Sequence, residues 1–391
     1  MAQMLTYILL VLLAALAGAA EDSRVVVLKN SRGAEAHMLP TGACIAKLLV
    51  PDRSGELADV LLGLENEDQL RSGLLKSGCI VGRVGGIISG AQFELDGKTY
   101  KLEANTDKGR STLHSGNVGF HRMEWVVEEA DLEGPEPWVR LSYTSGDGEQ
   151  GFPGGLYLQV TYKLTANNEL VHDIRATADA PTPLNPFSVP YFNLGGHSSG
   201  DVLDHHLTIN ADYFMPTDAG ANPTGKVAAV AGTPLDFRAP LAIGEGLEKQ
   251  AGVDASAARR RLSGALQLAT DAPAAGFRET FALFGLGPDA KQAVQGFTAS
   301  EQPQLAATLY HPASGRKLEI LTNTPAFAIY TGNSLKGKFA GKGGAVYGKH
   351  AGVALQTVMF PDAVNQPNFP STILRPGQQF HTQTVWRFSA A

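Results

Sequence analysis

The chain has 391 residues and a formal net charge of −6, with 43% hydrophobic and 18% charged residues. This balance is typical of a globular protein with a large core, and without a basic stripe it argues against nucleic acid as a partner. The high counts of glycine, 44, and proline, 22, predict many turns between short strands.

The first twenty residues differ from the rest of the chain. The run from Leu5 to Ala20 is apolar and uncharged, ends in small residues, and is followed by Glu21 and Asp22. This pattern predicts a signal peptide over residues 1–20, and therefore a chain that is secreted or enters the secretory pathway. An uncleaved anchor is the alternative, although a membrane span needs about 20 residues. No later window predicts a span in the mature chain.

Two cysteines, Cys44 and Cys79, are too few for a disulfide scaffold in a chain of this length. They either pair or remain as buried thiols, and the sequence leaves both possibilities open.

Strand-like runs dominate the mature chain. The strongest hairpin signal is the alternating stretch 92–102, which turns at Asp96-Gly97. Helical periodicity is weak outside 244–254 and 289–294, and the Ala/Arg-rich stretch 254–273 is interpreted as an irregular surface insertion. Many antiparallel strands without linkers or repeats predict an all-β fold, a single large antiparallel β-sandwich domain over residues 21–391.

A proline-broken stretch near the middle of the chain, Pro183 to His197, predicts a strand end at a cleft. Its three prolines exclude a helix and favour extended backbone before each aromatic ring. Tyr191 is the polar aromatic residue that this strand end presents.

Short motifs occur in order along the whole chain, and together they carry a family resemblance. They include Gly82-Arg83-Val84, Leu113-His114-Ser115-Gly116, Tyr191-Phe192-Asn193-Leu194, Tyr330-Thr331-Gly332-Asn333 and Phe360-Pro361-Asp362-Ala363-Val364-Asn365. Over residues 25–388 the chain resembles the aldose 1-epimerase (galactose mutarotase) family. The resemblance implies the large antiparallel β-sandwich called a supersandwich, with a sugar site in a cleft across one sheet. No cofactor and no metal are expected.

The residues that the family's chemistry requires are not retained. Mutarotation needs one acid to protonate the ring oxygen and one base to take the proton of the anomeric hydroxyl. The resemblance places the family's acid histidine at Val189 and its base glutamate at Gln356. Valine carries no proton, and an amide is not a base near neutral pH.

Further sugar-binding positions of the family are also replaced. The family's Asn-Arg pair becomes Gly86-Ile87, its Asp becomes Arg278, and its Gln becomes Ala328, whereas His114 remains in place. The scaffold motifs therefore survive while the mutarotase site does not.

Our first hypothesis is a secreted, non-catalytic or repurposed family member that binds a hexose, a glycan or another small molecule. His114, Tyr191, Glu279 and Gln356 would line its cleft, because a concave site needs only a few placed polar groups. The sequence leaves open whether Arg278 reaches into the cleft, and it does not give the oligomeric state.

Two alternatives retain catalysis. In the first, an active aldose 1-epimerase interconverts the α and β anomers of a hexose, with His114 as the acid and a carboxylate such as Glu279 or Asp271 as the base. In the second, a different isomerase or lyase uses His114 alone. A purely structural His114 that caps a turn is the competing interpretation.

A cluster of histidines and acids follows the central stretch. It comprises His197, Asp201, Asp204, His205 and His206. Because His205 and His206 would point to opposite faces of a strand, we interpret the cluster as a solvated loop rather than a metal site.

Overall fold

The structure is a computed structural model that describes residues 24–262, 276–288 and 302–391. The predicted signal peptide, Asp271 and the stretch 289–294 lie outside the described residues.

The named strand pairs are all antiparallel, and most strands belong to three sheets. A four-stranded sheet has the order β1-β2-β3-β4, with β1 Val26–Lys29, β2 Glu35–Leu39, β3 Cys44–Pro51 and β4 Leu57–Asp59. A nine-stranded sheet has the order β10-β11-β12-β13-β27-β23-β22-β17-β20. Its strands are β10 Val126–Asp131, β11 Trp138–Ser145, β12 Leu156–Leu164, β13 Glu169–Ala178, β17 His206–Ile209, β20 Leu241–Ala242, β22 Gln304–Tyr310, β23 Arg316–Thr322 and β27 Phe380–Ala390.

A six-stranded sheet, which positions the candidate site, has the order β16-β25-β24-β21-β18-β19. Its strands are β16 Tyr191–Phe192, β18 Tyr213–Met215, β19 Ala228–Ala229, β21 Arg278–Ala282, β24 Ala326–Tyr330 and β25 Val353–Val358. Four short ribbons complete the β structure: β5 Ile80–Val81 with β15 Phe187–Ser188, β6 Ile87–Ile88 with β9 Thr112–Leu113, β7 Gln92–Leu95 with β8 Lys98–Lys101, and β14 Thr182–Pro183 with β26 Ile373–Leu374.

The described chain has two α-helices, α1 Glu67–Ser72 and α2 Ile243–Leu262. Asn66 caps the start of α1 by accepting a hydrogen bond from the Gln69 N–H, and Gly73 ends it with a left-handed φ of 74°. Helix α2 continues into the stretch that the sequence predicted to be irregular, because the alanines and arginines there are good helix formers. None of the described helices is long and apolar enough to cross a membrane.

The six-stranded and nine-stranded sheets pack face to face around one large core. The Phe192 ring of β16 meets the Trp386 ring of β27 edge to face, with centroids 4.9 Å apart. The Thr357 and Thr384 hydroxyls of β25 and β27 lie 2.7 Å apart. One cluster of buried residues joins the two sheets, including Ile329 of β24. The predicted antiparallel sandwich is confirmed.

The Asp96-Gly97 hairpin forms as predicted. Leu95 pairs with Lys98, and the two turn residues have φ values of 50° and 79°. Positive φ at both positions suits the two-residue turns that match the twist of the flanking strands.

Cys44 and Cys79 form a disulfide that links β3 to the residue just before β5. The structure thereby resolves the alternative that the sequence left open.

Candidate ligand cleft

The strand register defines one face of the six-stranded sheet that points away from the core; we call it the cleft face. Gln356 pairs with Ala328, and Ala328 pairs with Thr280. In the neighbouring row, Tyr330 pairs with Arg278. Directly paired residues share a face, whereas consecutive residues alternate. Since Thr357 contacts the nine-stranded sheet, Gln356 and the residues paired in its row lie on the cleft face.

Apolar side chains cover part of the cleft face. Val189 is buried in a cluster with Phe187 and Met215, against which Tyr191 and Ala328 pack. Residue 189 therefore contributes an aliphatic side chain where the resemblance expected an acid.

Tyr191 ends one row of the cleft face. It pairs with Ala354, and its ring meets that of Tyr330 at a centroid distance of 6.1 Å. Burial, with a smaller effect of Tyr330, raises the pKa of the Tyr191 phenol. The hydroxyl therefore stays protonated and serves as a hydrogen-bond donor.

Gln356 is half-buried on the cleft face, next to Ala328. Among the described residues no hydrogen bond engages its side-chain amide. The amide is therefore available to a ligand as both donor and acceptor.

Backbone contacts hold His114 beside the cleft. Its N–H donates to the Gly86 carbonyl over 2.9 Å, and its Nδ1 accepts the Gly86 N–H over 3.1 Å. Its ring meets the Phe187 ring edge to face, with centroids 5.9 Å apart. His114 and Ser115 have left-handed φ values of 55° and 64°, which turn the chain at this point. The Nδ1 contact leaves the ring proton on Nε2.

The electrostatic surroundings keep His114 neutral. Burial lowers its pKa well below the ordinary value, and the charges of Lys76, His121 and Arg278 lower it further. None of these groups is acidic. At neutral pH the ring is therefore an uncharged imidazole that donates through Nε2.

Glu279 does not join the other predicted site residues. It pairs with Ile329, which pairs with Leu355, and both of these neighbours belong to the main core. The side chain therefore lies on the face of β21 opposite Arg278 and Thr280. Burial there raises the pKa of Glu279 to about 7, although the side chain keeps some solvent exposure.

Another carboxylate, Asp362, is committed to the loop that it holds. Its Oδ1 accepts hydrogen bonds from the Ser89 N–H and the Asn365 amide, and its Oδ2 accepts one from the Gln366 amide. The motif around Asp362 therefore has a structural role.

The Gly82-Arg83-Val84 motif is likewise structural. Arg83 is fully buried, and its guanidinium donates to the Pro153 and Gly154 carbonyls and to the Thr182 and Ser145 hydroxyls. These hydrogen bonds hold the loop between β11 and β12 against Arg83.

The histidine and acid cluster divides into separate contacts. His197 Nδ1 lies 3.0 Å from the Tyr347 hydroxyl, and His206 stacks on Tyr310. Asp204 and His205 instead meet His311, which sequence reasoning missed. His205 is buried, so the prediction of a solvated loop is wrong for this residue.

Proton positions in this trio argue against a metal. His205 Nε2 accepts the Leu194 N–H, so Nδ1 carries the proton that is donated to Asp204. His311 Nδ1 accepts the Ser314 N–H, so its Nε2–H faces Asp204 at 3.4 Å. A metal would need lone pairs at the positions where both rings present protons.

A cavity of about 630 Å³ lies apart from these residues. It is bordered by β1, β3, α1 and the loop at Lys342, and none of the predicted site residues lines it.

Sequence reasoning missed Thr280 and Lys76. Thr280 is half-buried on the cleft face between Ala328 and Met215. Lys76 lies close enough to lower the pKa of His114. Strand alternation from Arg278 would have indicated Thr280, whereas no local pattern indicates Lys76.

Comparisons with known proteins find one family that is similar to this chain in sequence and in fold. The family model described as "Aldose 1-epimerase" matches residues 24–387. The chain is 38% identical to galactose mutarotase from Bos taurus over 353 residues, 90% of each chain. It is 31% identical to aldose 1-epimerase from Escherichia coli (strain K12) over 379 residues, 96% of this chain and 98% of that one.

Solved structures agree with these sequence matches. The GalM/aldose epimerase homologue from C. elegans superposes with a TM-score of 0.77 at 27% identity, covering 94% of this chain and 99% of that one. Galactose 1-epimerase from Lactobacillus acidophilus NCFM superposes with a TM-score of 0.72 at 24% identity, covering 94% of each chain, and supports the fold.

Proposed function

Because the chain belongs to the aldose 1-epimerase family, we propose that it binds a carbohydrate-type ligand in the cleft and is not a standard mutarotase. The observation that carries this proposal is the state of His114. Its Nδ1 lone pair accepts the Gly86 N–H, and the remaining nitrogen carries the proton of a neutral ring. Such a ring has no free lone pair with which to accept a proton. Because it is uncharged, it is also a poor proton donor for acid catalysis.

The proton balance of mutarotation explains why one such ring is insufficient. As the bond between C1 and the ring oxygen breaks, that oxygen gains a proton and the anomeric hydroxyl loses one. Ring closure reverses both transfers. Val189 and Gln356 supply neither proton transfer at the positions where the family resemblance expects the acid and the base.

Ligand binding is supported by the polar groups that remain. The Gln356 amide, the Tyr191 hydroxyl and His114 Nε2 make no hydrogen bond to another described residue, and they border one apolar surface. A sugar site combines polar groups with an apolar surface, because the sugar hydroxyls form directional hydrogen bonds and the sugar ring faces pack on apolar side chains.

An active epimerase with a rebuilt site remains the second candidate. It is favoured only by the raised pKa of Glu279, which would suit a general base or acid near neutral pH. The position of Glu279 on the core-facing side of β21 weighs against a direct pairing with His114.

The double variant Val189→His/Gln356→Glu tests whether the cleft still accommodates a hexose. We expect it to accelerate the mutarotation of α-galactose at least ~10-fold over wild type, since a positioned acid or base contributes about 100-fold or more. Each single variant is the matched control. Equal rates for the double variant and wild type would contradict a hexose-shaped cleft.

We further propose that the protein is secreted. The predicted signal peptide supports this, and the Cys44–Cys79 disulfide suits an oxidising compartment. N-terminal sequencing of protein recovered from the medium should begin near Glu21; recovery of an intact Met1 from the cytosol would contradict secretion.

A further inference from the structure

One end of the cleft face carries the positive charge of Arg278, and no described residue forms an ion pair with it. Arg278 is exposed at the start of β21, in one row with Tyr330 and Ala354. Among the described residues its guanidinium makes neither an ion pair nor a hydrogen bond. Its neighbour Glu279 lies on the opposite face of the strand.

Other nitrogen groups lie near His114. Lys76 is half-buried and forms no ion pair with a described residue. His121 is 2% exposed, and neither of its ring nitrogens has a hydrogen-bond partner within the described chain. Lys76 acts electrostatically on both histidines, and Arg278 acts on His114 and Tyr191. This region therefore holds several nitrogen groups, and the Arg278 charge also acts on the adjacent Glu279 carboxylate, which lies on the other face of the strand and forms no ion pair with it among the described residues.

We propose that the cleft selects a sugar that carries a carboxylate, anchored by Arg278. This inference rests on the proposed ligand-binding function and names its substrate class. The planar guanidinium can bind a carboxylate through two parallel N–H donors, which a lysine ammonium cannot. The Gln356 amide and Tyr191 hydroxyl then serve the ring hydroxyls, and Lys76 adds attraction without a fixed geometry.

Calorimetric titration of the full mature chain tests the assignment with four probes: galacturonate, galactose, glucose 6-phosphate and inorganic phosphate. We expect galacturonate to bind at least ~10-fold more tightly than galactose, because a hydrogen bond between charged groups exceeds a neutral one. The affinity for galacturonate should fall as the NaCl concentration rises, since salt screens charges at a partly exposed site.

Variants of the exposed Arg278 separate charge from geometry. Arg278→Ala should lower the galacturonate affinity at least ~10-fold and the galactose affinity much less, and Arg278→Lys should restore only part of the lost galacturonate affinity. The control is Arg140→Ala, a half-exposed arginine that pairs with Glu129 on the nine-stranded sheet, away from the cleft face. Tighter binding of glucose 6-phosphate than of galacturonate would overturn the carboxylate in favour of a phosphate.

The remaining outcomes distinguish the two proposals. Equal binding of galactose and galacturonate, unaffected by Arg278→Ala, would overturn the anionic selectivity while leaving sugar binding intact. Binding of inorganic phosphate alone, lost in Arg278→Ala, would overturn the sugar ligand and reduce the site to an anion site. Binding of none of the four probes would overturn both proposals.

Discussion

At the scale of single residues, the contacts of His114 determine which hydrogen-bonding role its ring can take. The Gly86 backbone fixes its tautomer, and burial with three neighbouring nitrogen groups keeps its ring neutral. The ring is therefore able to donate one hydrogen bond, which is the role that our proposal gives it in ligand binding.

Glu279 gives a residue-scale prediction with a defined pH dependence. Its pKa is raised to about 7 in the folded protein, whereas an unfolded glutamate titrates near 4.3. Between these values the folded state binds more protons, so this group lowers the free energy of unfolding as pH rises from about 4 to 7. Well above pH 7 Glu279 lowers the free energy of unfolding by its full amount. Below about pH 4 it has no effect on that free energy.

Glu279→Gln should therefore stabilise the protein at pH 8 by up to about 3 kcal/mol and have little effect at pH 4. Urea unfolding at both pH values measures this, with the exposed Glu94→Gln on β7 as control. Because Glu279 lies off the cleft face, its variant should leave galacturonate affinity unchanged. A loss of ligand affinity without the pH-dependent stabilisation would place Glu279 in the cleft instead.

At the scale of elements, the alternation along strand β21 explains why the sequence pointed to Glu279 and missed Thr280. The family resemblance singled out Arg278 as a replaced position and left open whether it reaches the cleft. The period of two along a strand then puts Thr280, not Glu279, on the same face. The prediction of Glu279 as a site residue was based on its carboxylate. It did not use the alternation of strand faces, although that alternation can be derived from the sequence.

Other parts of the site depend on contacts that no local pattern reveals. His311 meets Asp204 and His205 because β17 and β22 are neighbours, although their residues are about a hundred positions apart in the chain. Lys76 reaches the surroundings of His114 through the loop before β5. By contrast, the Asp96-Gly97 hairpin was predictable because its turn chemistry is local.

The disulfide between β3 and the start of β5 gives an element-scale prediction. It closes a loop with a sequence separation of 35, so the chain-entropy estimate of its contribution is about 4 kcal/mol. Dithiothreitol should lower the urea midpoint of the wild type accordingly. In the matched control Cys44→Ser/Cys79→Ser, the reductant should change nothing. An unchanged wild-type midpoint after verified reduction would contradict a stabilising role.

At the scale of the whole molecule, the antiparallel sandwich and the family resemblance predicted from the sequence are confirmed. Turn and core motifs specify the scaffold, as the buried Arg83 and the hydrogen-bonded Asp362 illustrate. The scaffold is therefore preserved by packing and hydrogen bonds that do not depend on the catalytic side chains. This separation allows one fold to keep its shape while its cleft changes chemistry.

The rate of mutarotation by the wild-type chain tests the central claim most directly. The mature protein from Glu21 is added to freshly dissolved α-galactose and α-glucose, and optical rotation is followed against a protein-free blank. We predict a rate equal to the blank, because under our proposal Val189 and Gln356 stand where the reaction needs an acid and a base. A clear acceleration that is lost in His114→Ala would contradict this account and establish an epimerase with a rebuilt site.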